Sequence, residues 1–152
     1  LEHLDAWLGE TKWDVIHFNH GLHDLKYVDE GGRNVATKEA GHIQIPLDQY
    51  AQQMEAIVNR LKKTEATLIF ATTTPYPAQT DGPLREEEDA ARYNEVALEI
   101  MARNGIIIND LYTFALPQLE QIQQPHNVHF TPEGSQVLAG EVARHIAKAL
   151  RN

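Results

Sequence analysis

Ala66-Thr67-Leu68-Ile69-Phe70-Ala71-Thr72 is an almost uninterrupted apolar run. A short run of this kind suits a β-strand covered on both faces, as in a parallel sheet. Upstream of it, Leu47, Tyr50, Met54, Ile57, Val58 and Leu61 recur at helical spacing and predict one helix to about Lys63. Downstream, Thr73-Thr74-Pro75-Tyr76-Pro77 opens a polar loop that ends near Glu88. Tyr93, Val96, Ala97, Ile100 and Met101 then form the stripe of a second helix, stopped by Asn104-Gly105, and Ile106-Ile107-Ile108 reads as another strand.

The same alternation extends to both ends. Leu1, Leu4, Trp7 and Leu8 read as the apolar face of a helix, and Trp13 to Asn19 as a strand ending at Gly21. Residues 25–45 form an excursion, with a turn at Gly31-Gly32 and Asn34 and a short extended piece at His42-Ile43-Gln44-Ile45. Thr131 is the expected N-cap of the last helix and Pro132 its first residue. Its expected buried face is Val137, Leu138, Val142, Ile146 and Leu150. Strands alternating with helices call for an α/β fold, a parallel sheet with helices packed on its faces. The 152 residues suit one domain over 1–152.

Composition narrows the function. A formal net charge of -9 argues against a nucleic-acid partner, because phosphate binding needs a basic footprint. No apolar run approaches the ~20 residues needed to span a bilayer. With no cysteine, disulfides, thiolate metal sites and a cysteine nucleophile are excluded. Localisation is not legible.

In a parallel sheet, ligands bind beyond the carboxyl ends of the strands. Asn19 to Asp24, Thr72 to Pro75 and Asn109-Asp110 fall there. The loop Asn127-Val128-His129-Phe130, just ahead of the last helix, can close over the same edge. His129 is placed as a general base, which needs a partner to fix its tautomer. The plainer reading is a loop histidine packed against the helix. Gly21 lets the chain turn sharply after the first strand, and His23 can point a ring N–H into the site. Asp24 reads more simply as a cap of a short turn. Thr72 to Thr74, Thr73 among them, read as lining or turn residues. Ser135, the only serine, falls in a first helical turn, where it suits a structural role. His20, His23, Asp24, His126 and His129 offer an alternative, a metal site of the hydrolytic kind, although His-x-x-His is a loose pattern.

Gly21-Leu22-His23-Asp24 followed much later by His129-Phe130-Thr131-Pro132-Glu133-Gly134 resembles the SGNH (GDSL-like) hydrolase family. Trp13 to Tyr27, Ile69 to Pro77, Ile106 to Tyr112 and Val128 to Ser135 all resemble its lipase or acylhydrolase branch, so the resemblance covers nearly the whole chain. It implies a three-layer α/β/α fold on a flavodoxin-like sheet and a serine esterase needing no cofactor. The implied substrate is a small-molecule or carbohydrate acyl ester, with O-acetylated carbohydrates the guess within this branch. In that family a Gly-Asp-Ser segment supplies the nucleophile, and an Asn helps hold the oxyanion. A late histidine is the base, usually oriented by an Asp three residues earlier. Carried over, His129 takes the base position and His23 that of the Asn, which is tolerable because a histidine N–H can also stabilise an oxyanion.

The chain departs from the pattern in three ways. It has no Gly-Asp-Ser, and no counterpart of the family's oxyanion glycine. The position three before His129 is His126, leaving Asn127 or a backbone carbonyl to hold the ring. The expectation is therefore a partial domain, inactive alone, without an N-terminal strand-helix-strand unit on the order of 30 residues or more. Gly21 and Thr73 are the expected substrate-lining residues, and the 25–45 excursion and the Pro75 to Glu88 loop the expected pocket walls. The strand Trp13 to Asn19 would then be an edge, open to self-association.

Overall fold

The computed structural model describes residues 2–78 and 80–151. In chain order its elements are α1 (Leu4–Leu8), β1 (Val15–Phe18), β2 (Tyr27–Val28), β3 (His42–Ile43), α2 (Leu47–Lys62), β4 (Thr67–Ala71), α3 (Asp89–Asn104), β5 (Ile107–Asn109), α4 (Leu111–Ala115), α5 (Leu119–Ile122) and α6 (Pro132–Ala149). The apolar run around Phe70 is the central strand. β4 pairs in parallel with β1 on one side and β5 on the other, with His17 opposite Ile69 and Ile69 opposite Ile107. The chain is thus an α/β structure, a parallel three-stranded sheet flanked by helices, as expected.

Strand alternation sorts the layers. Leu68 and Phe70 point into one core with Met54, Ile57, Val58 and Leu61 of α2 and Tyr93, Ala97, Ile100 and Met101 of α3. Phe70 is fully buried there, and burying a side chain of that size contributes about 1.5–3 kcal/mol. The intervening Ile69 and Ala71 belong to the opposite face, where α6 touches all three strands. Gly105, at φ 67, ends α3 in the left-handed conformation, which glycine adopts without a steric cost, and β5 follows at once.

Several boundaries and faces differ from the expectation. α6 does not bury a full stripe: Leu138, Val142 and Ile146 are half-buried, whereas Val137 is 37% and Leu150 60% exposed. Among the described residues α6 is the only long helix on its face of the sheet, with only the short α4 and α5 packed beside it. In α1, Leu8 is buried but Trp7 is 70% exposed, because the helix is a single short turn over the sheet's edge. Leu1 lies outside the described residues. The excursion holds an antiparallel pair, Tyr27–Val28 against His42–Ile43, where only the second piece was legible. The short helices α4 and α5 were not expected, since neither is long enough to set up a periodicity. β1 is an edge strand, as the sequence suggested.

α6 starts as the sequence predicts and is fastened to α5. Thr131 Oγ1 accepts from the Gly134 N–H at 3.0 Å and donates to the Ile122 carbonyl at 3.2 Å, which also accepts from the Thr131 N–H at 2.9 Å. Gly134 is buried against that carbonyl, and a Cβ there would overlap the Ile122 backbone. Gly134→Ala should therefore destabilise the chain by about 1–3 kcal/mol despite alanine's better helix propensity. Urea denaturation checks this, and a neutral or stabilising result would mean that the α5–α6 contact can open at no cost.

Candidate active site

The carboxyl ends of the three strands carry a set of ties between loops. Asn19, just past β1, donates through Nδ2 to the Ala71 carbonyl at 2.7 Å. Past β4, the Thr73 N–H donates to Asn94 Oδ1 and the Thr73 carbonyl accepts from Asn94 Nδ2, both at 2.8 Å. Thr72 Oγ1 donates to Asp110 Oδ1 at 3.0 Å and accepts from the Tyr112 N–H at 2.9 Å. Burial works against ionisation of Asp110, yet the hydrogen bonds from Thr113, Thr72 and Tyr112 outweigh it and hold this carboxyl below its usual range.

Gly21 starts the turn after β1 at φ 151, and its carbonyl accepts from the Asp24 and Leu25 N–H groups. A side chain there would collide with Thr73 Oγ1. Thr73 is itself buried, and its hydroxyl donates to the His20 carbonyl at 3.3 Å. Gly21 and Thr73 therefore meet each other as a packed joint and are not among the residues lining the cleft described below. His20 is half-buried, and burial lowers its pKa although Asp24 pulls the other way. Burial raises the Asp24 carboxyl, opposed by His20, His23 and the backbone.

His129 sits on the loop between α5 and α6, which the backbone and Gln123 hold in place. The Gln124 N–H donates to the His129 carbonyl at 3.0 Å, and Gln123 Nε2 reaches the Pro75 carbonyl at 3.1 Å. His126 adopts φ 54, a conformation uncommon outside glycine, and its carbonyl accepts from the Asp81 N–H at 2.9 Å. The chain thereby turns so that Asn127, two residues ahead of His129, addresses the ring. Asn127 Oδ1 accepts from the His129 N–H at 3.0 Å and lies 2.7 Å from its Nδ1. A backbone N–H can only donate, so the amide atom facing it is the oxygen. The ring nitrogen beside it must then carry the proton. In the neutral ring Nε2 then has its lone pair free, the form a general base uses.

His23, Asn127 and His129 line one cleft of about 350 Å³, together with Lys26, Asn34, Asp81 and Arg85. The excursion supplies Lys26 and Asn34 to this cleft, and the loop after β4 supplies Asp81 and Arg85. No motif marks Arg85 or Lys26 in the sequence, because a single cation in a polar loop has no distinguishing neighbour. His126 lines a different hollow, with Tyr76, Glu87 and Gln123. The position three residues before His129 therefore does not serve the ring. The histidines and Asp24 are not gathered as a metal would need: among the described residues no three His, Asp or Glu side chains form such a group. Ser135 is exposed in the first turn of α6, its N–H donating to the Thr131 carbonyl at 2.8 Å.

The model of the GDSL-like Lipase/Acylhydrolase family matches residues 1–137. The chain belongs to this family. Its fold is also that of solved members and related esterases. Over 95% of this chain and 67% of the other, it matches the lipase/acylhydrolase from Enterococcus faecalis at 20% identity and a TM-score of 0.67. Axe2, an acetylxylan esterase from Geobacillus stearothermophilus, matches over 95% of this chain and 66% of its own at 18% identity and a TM-score of 0.68. The acetyl xylan esterase AlAXEase matches over 88% and 67% at 15% identity and a TM-score of 0.64. The GDSL-like chain thus spans about two thirds of the length of each of these proteins. No curated protein matches it.

Asn127→Ala should release His129 from its single tautomer. Ring ¹⁵N chemical shifts of the neutral imidazole should move from a predominantly Nδ1-protonated pattern to a mixture. An unchanged pattern would show that another group holds the ring.

Proposed function

We propose that this GDSL-like chain provides the general base and part of the oxyanion site of a serine esterase. The observation that carries the reading is the Asn127–His129 pair, which directs Nδ1 of the ring to Asn127 in the cleft that His129 shares with His23. In the proposed cycle Nε2 takes the proton of a serine hydroxyl as the oxygen attacks the ester carbonyl. The tetrahedral oxyanion accepts a hydrogen bond from the His23 ring N–H. Nε2 then returns the proton to the departing alcohol, and a water activated in the same way hydrolyses the acyl-enzyme. Asn127 orients the ring but carries no charge, so it stabilises the imidazolium less than a carboxylate would. In serine proteases that loss costs up to about 10⁴ in turnover. The substrate class we favour is an O-acetylated carbohydrate, supported by the two structural relatives described as acetylxylan esterases.

The nucleophile has to come from a Gly-Asp-Ser segment, which this sequence does not contain. The chain alone should therefore neither hydrolyse p-nitrophenyl acetate nor take up a fluorophosphonate, read by intact mass. Joined to a Gly-Asp-Ser strand-helix-strand segment it should do both, and His129→Ala there should lower turnover by about 10²–10⁴. A stoichiometric adduct on Ser135 or a threonine of the chain alone would overturn the reading, as would full activity of the His129 variant.

A second reading is favoured by the sheet's edge. Among the described residues no strand pairs with the outer side of β1, and the hollow beside it is lined by Trp7, Trp13, Val15 and Phe18, with Trp13 39% exposed. An apolar edge of this kind is a template for strand pairing. The chain alone should self-associate at micromolar concentration in sedimentation velocity, and Val15→Lys should shift it towards the monomer. A monomer at all concentrations would dismiss this reading.

A further inference from the structure

The cleft holds a cation without a counter-charge. Arg85 is only 8% exposed, the one arginine in the buried set. Its Nε donates to the Leu22 carbonyl at 2.9 Å and its Nη1 to the Pro83 carbonyl at 3.3 Å, which fixes the guanidinium in the wall. Arg33, Arg60, Arg92, Arg103 and Arg144 all pair with carboxylates although each is far more exposed. Arg85 pairs with none among the described residues, and its Nη2 makes no hydrogen bond among them. A desolvated charge without a partner is costly unless a ligand supplies one.

Lys26 lines the same cleft, is half-buried and forms no ion pair among the described residues. The only carboxylate in the lining is Asp81, which is exposed and pairs with neither cation. In a chain with 22 acidic and 13 basic residues, an unpaired Arg–Lys combination beside His129 is a local reversal of charge. With the Nε N–H and one Nη1 N–H given to carbonyls, Arg85 keeps the second Nη1 N–H and both Nη2 N–H groups for an anion. Lys26 adds a mobile point charge, a combination suited to a single carboxylate at the cleft wall.

We propose that the cleft takes an acyl ester whose alcohol part is a sugar acid, its carboxylate held by the terminal N–H groups of Arg85 and the Lys26 ammonium. This substrate class rests on reading the cleft as the ester site. The assignment separates an acidic carbohydrate from a neutral one, for which the two cations would be an unrewarded expense of stability. Simple anion attraction is distinguished from it by the need for the sugar.

The test is an NMR titration of the ¹⁵N-labelled chain with D-glucuronate, D-glucose and inorganic phosphate, read at the amides of Leu22, Lys26, Asp81 and Arg85. Glucuronate should give saturable shifts there, at least tenfold tighter than either glucose or phosphate. Lys26→Glu should weaken glucuronate at least tenfold while leaving the spectrum dispersed. Arg85→Gln should do the same, but because Arg85 also ties two carbonyls, the Lys26 variant decides the matter if the Arg85 variant unfolds. Equal binding of glucose, tighter binding of phosphate, no binding of glucuronate, or an unaffected Lys26 variant would each overturn the proposal. Binding needs no turnover, so glucuronate binding in a serine-completed protein without esterase activity would defeat the esterase reading alone. Turnover of neutral esters without glucuronate binding would defeat this one alone.

Discussion

The burial of β4 between two parallel partners is the constraint on which the rest depends. Ile69 and Phe70 are completely buried, and a strand lying between two others has its backbone groups satisfied only when both flanking ladders form. That requirement fixes β1 and β5 in register, and their shared direction brings three carboxyl ends to one edge. Thr72 and Thr73 leave β4 there already committed to Asp110 and Asn94. The joint between Gly21 and Thr73 then sets where the chain after β1 can go. The position of His23 is thus a consequence of sheet packing, two steps removed.

His129 reaches the same edge by a different route. Its loop is held at one end by the Thr131 cap and the close Gly134–Ile122 approach, and at the other by Gln123 across to Pro75. Between those anchors the left-handed residue at His126 turns Asn127 back onto the ring. An asparagine in that place gives direction without charge. It settles which ring nitrogen holds the proton, but it gives the imidazolium no ionic partner. For the base we propose at His129, this means orientation with little electrostatic support.

The two faces of the sheet are unequally covered. α2 and α3 seal one face with a continuous apolar core, whereas on the other α6 is the only long helix among the described residues and leaves Val137 and Leu150 in contact with water. On that thinner side Asn109 is fully buried, with His17 Nε2 3.1 Å from its Nδ2 and no partner for its Oδ1 among the described residues. Burial lowers the pKa of His17, and the nearby His145 lowers it further. Unfolded imidazoles take up protons as the pH falls below 6.5, and a folded His17 that resists doing so makes this side lose stability in mild acid.

The sequence by itself determined the alternation of strands and helices, the parallel sheet, the cap of α6 and the family. Each of these is written in local terms, such as the periodicity around Met54 and Ile100, the apolar run at Phe70, or Thr131-Pro132 ahead of a helix. It also marked His23, Asn127 and His129 as candidates, since they stand in recognisable surroundings. Tertiary structure decided what those residues do to one another. Only the folded loop shows that Asn127, rather than His126, addresses the ring, because that choice turns on one left-handed backbone residue. Only packing shows that Thr73 is a buried joint and not a cleft wall. Arg85 was invisible for the same reason: a charge acquires meaning from the partners it lacks, and those are set by contacts across the fold. The exposure of Val137 and Leu150 depends on what packs against α6, which no local pattern encodes.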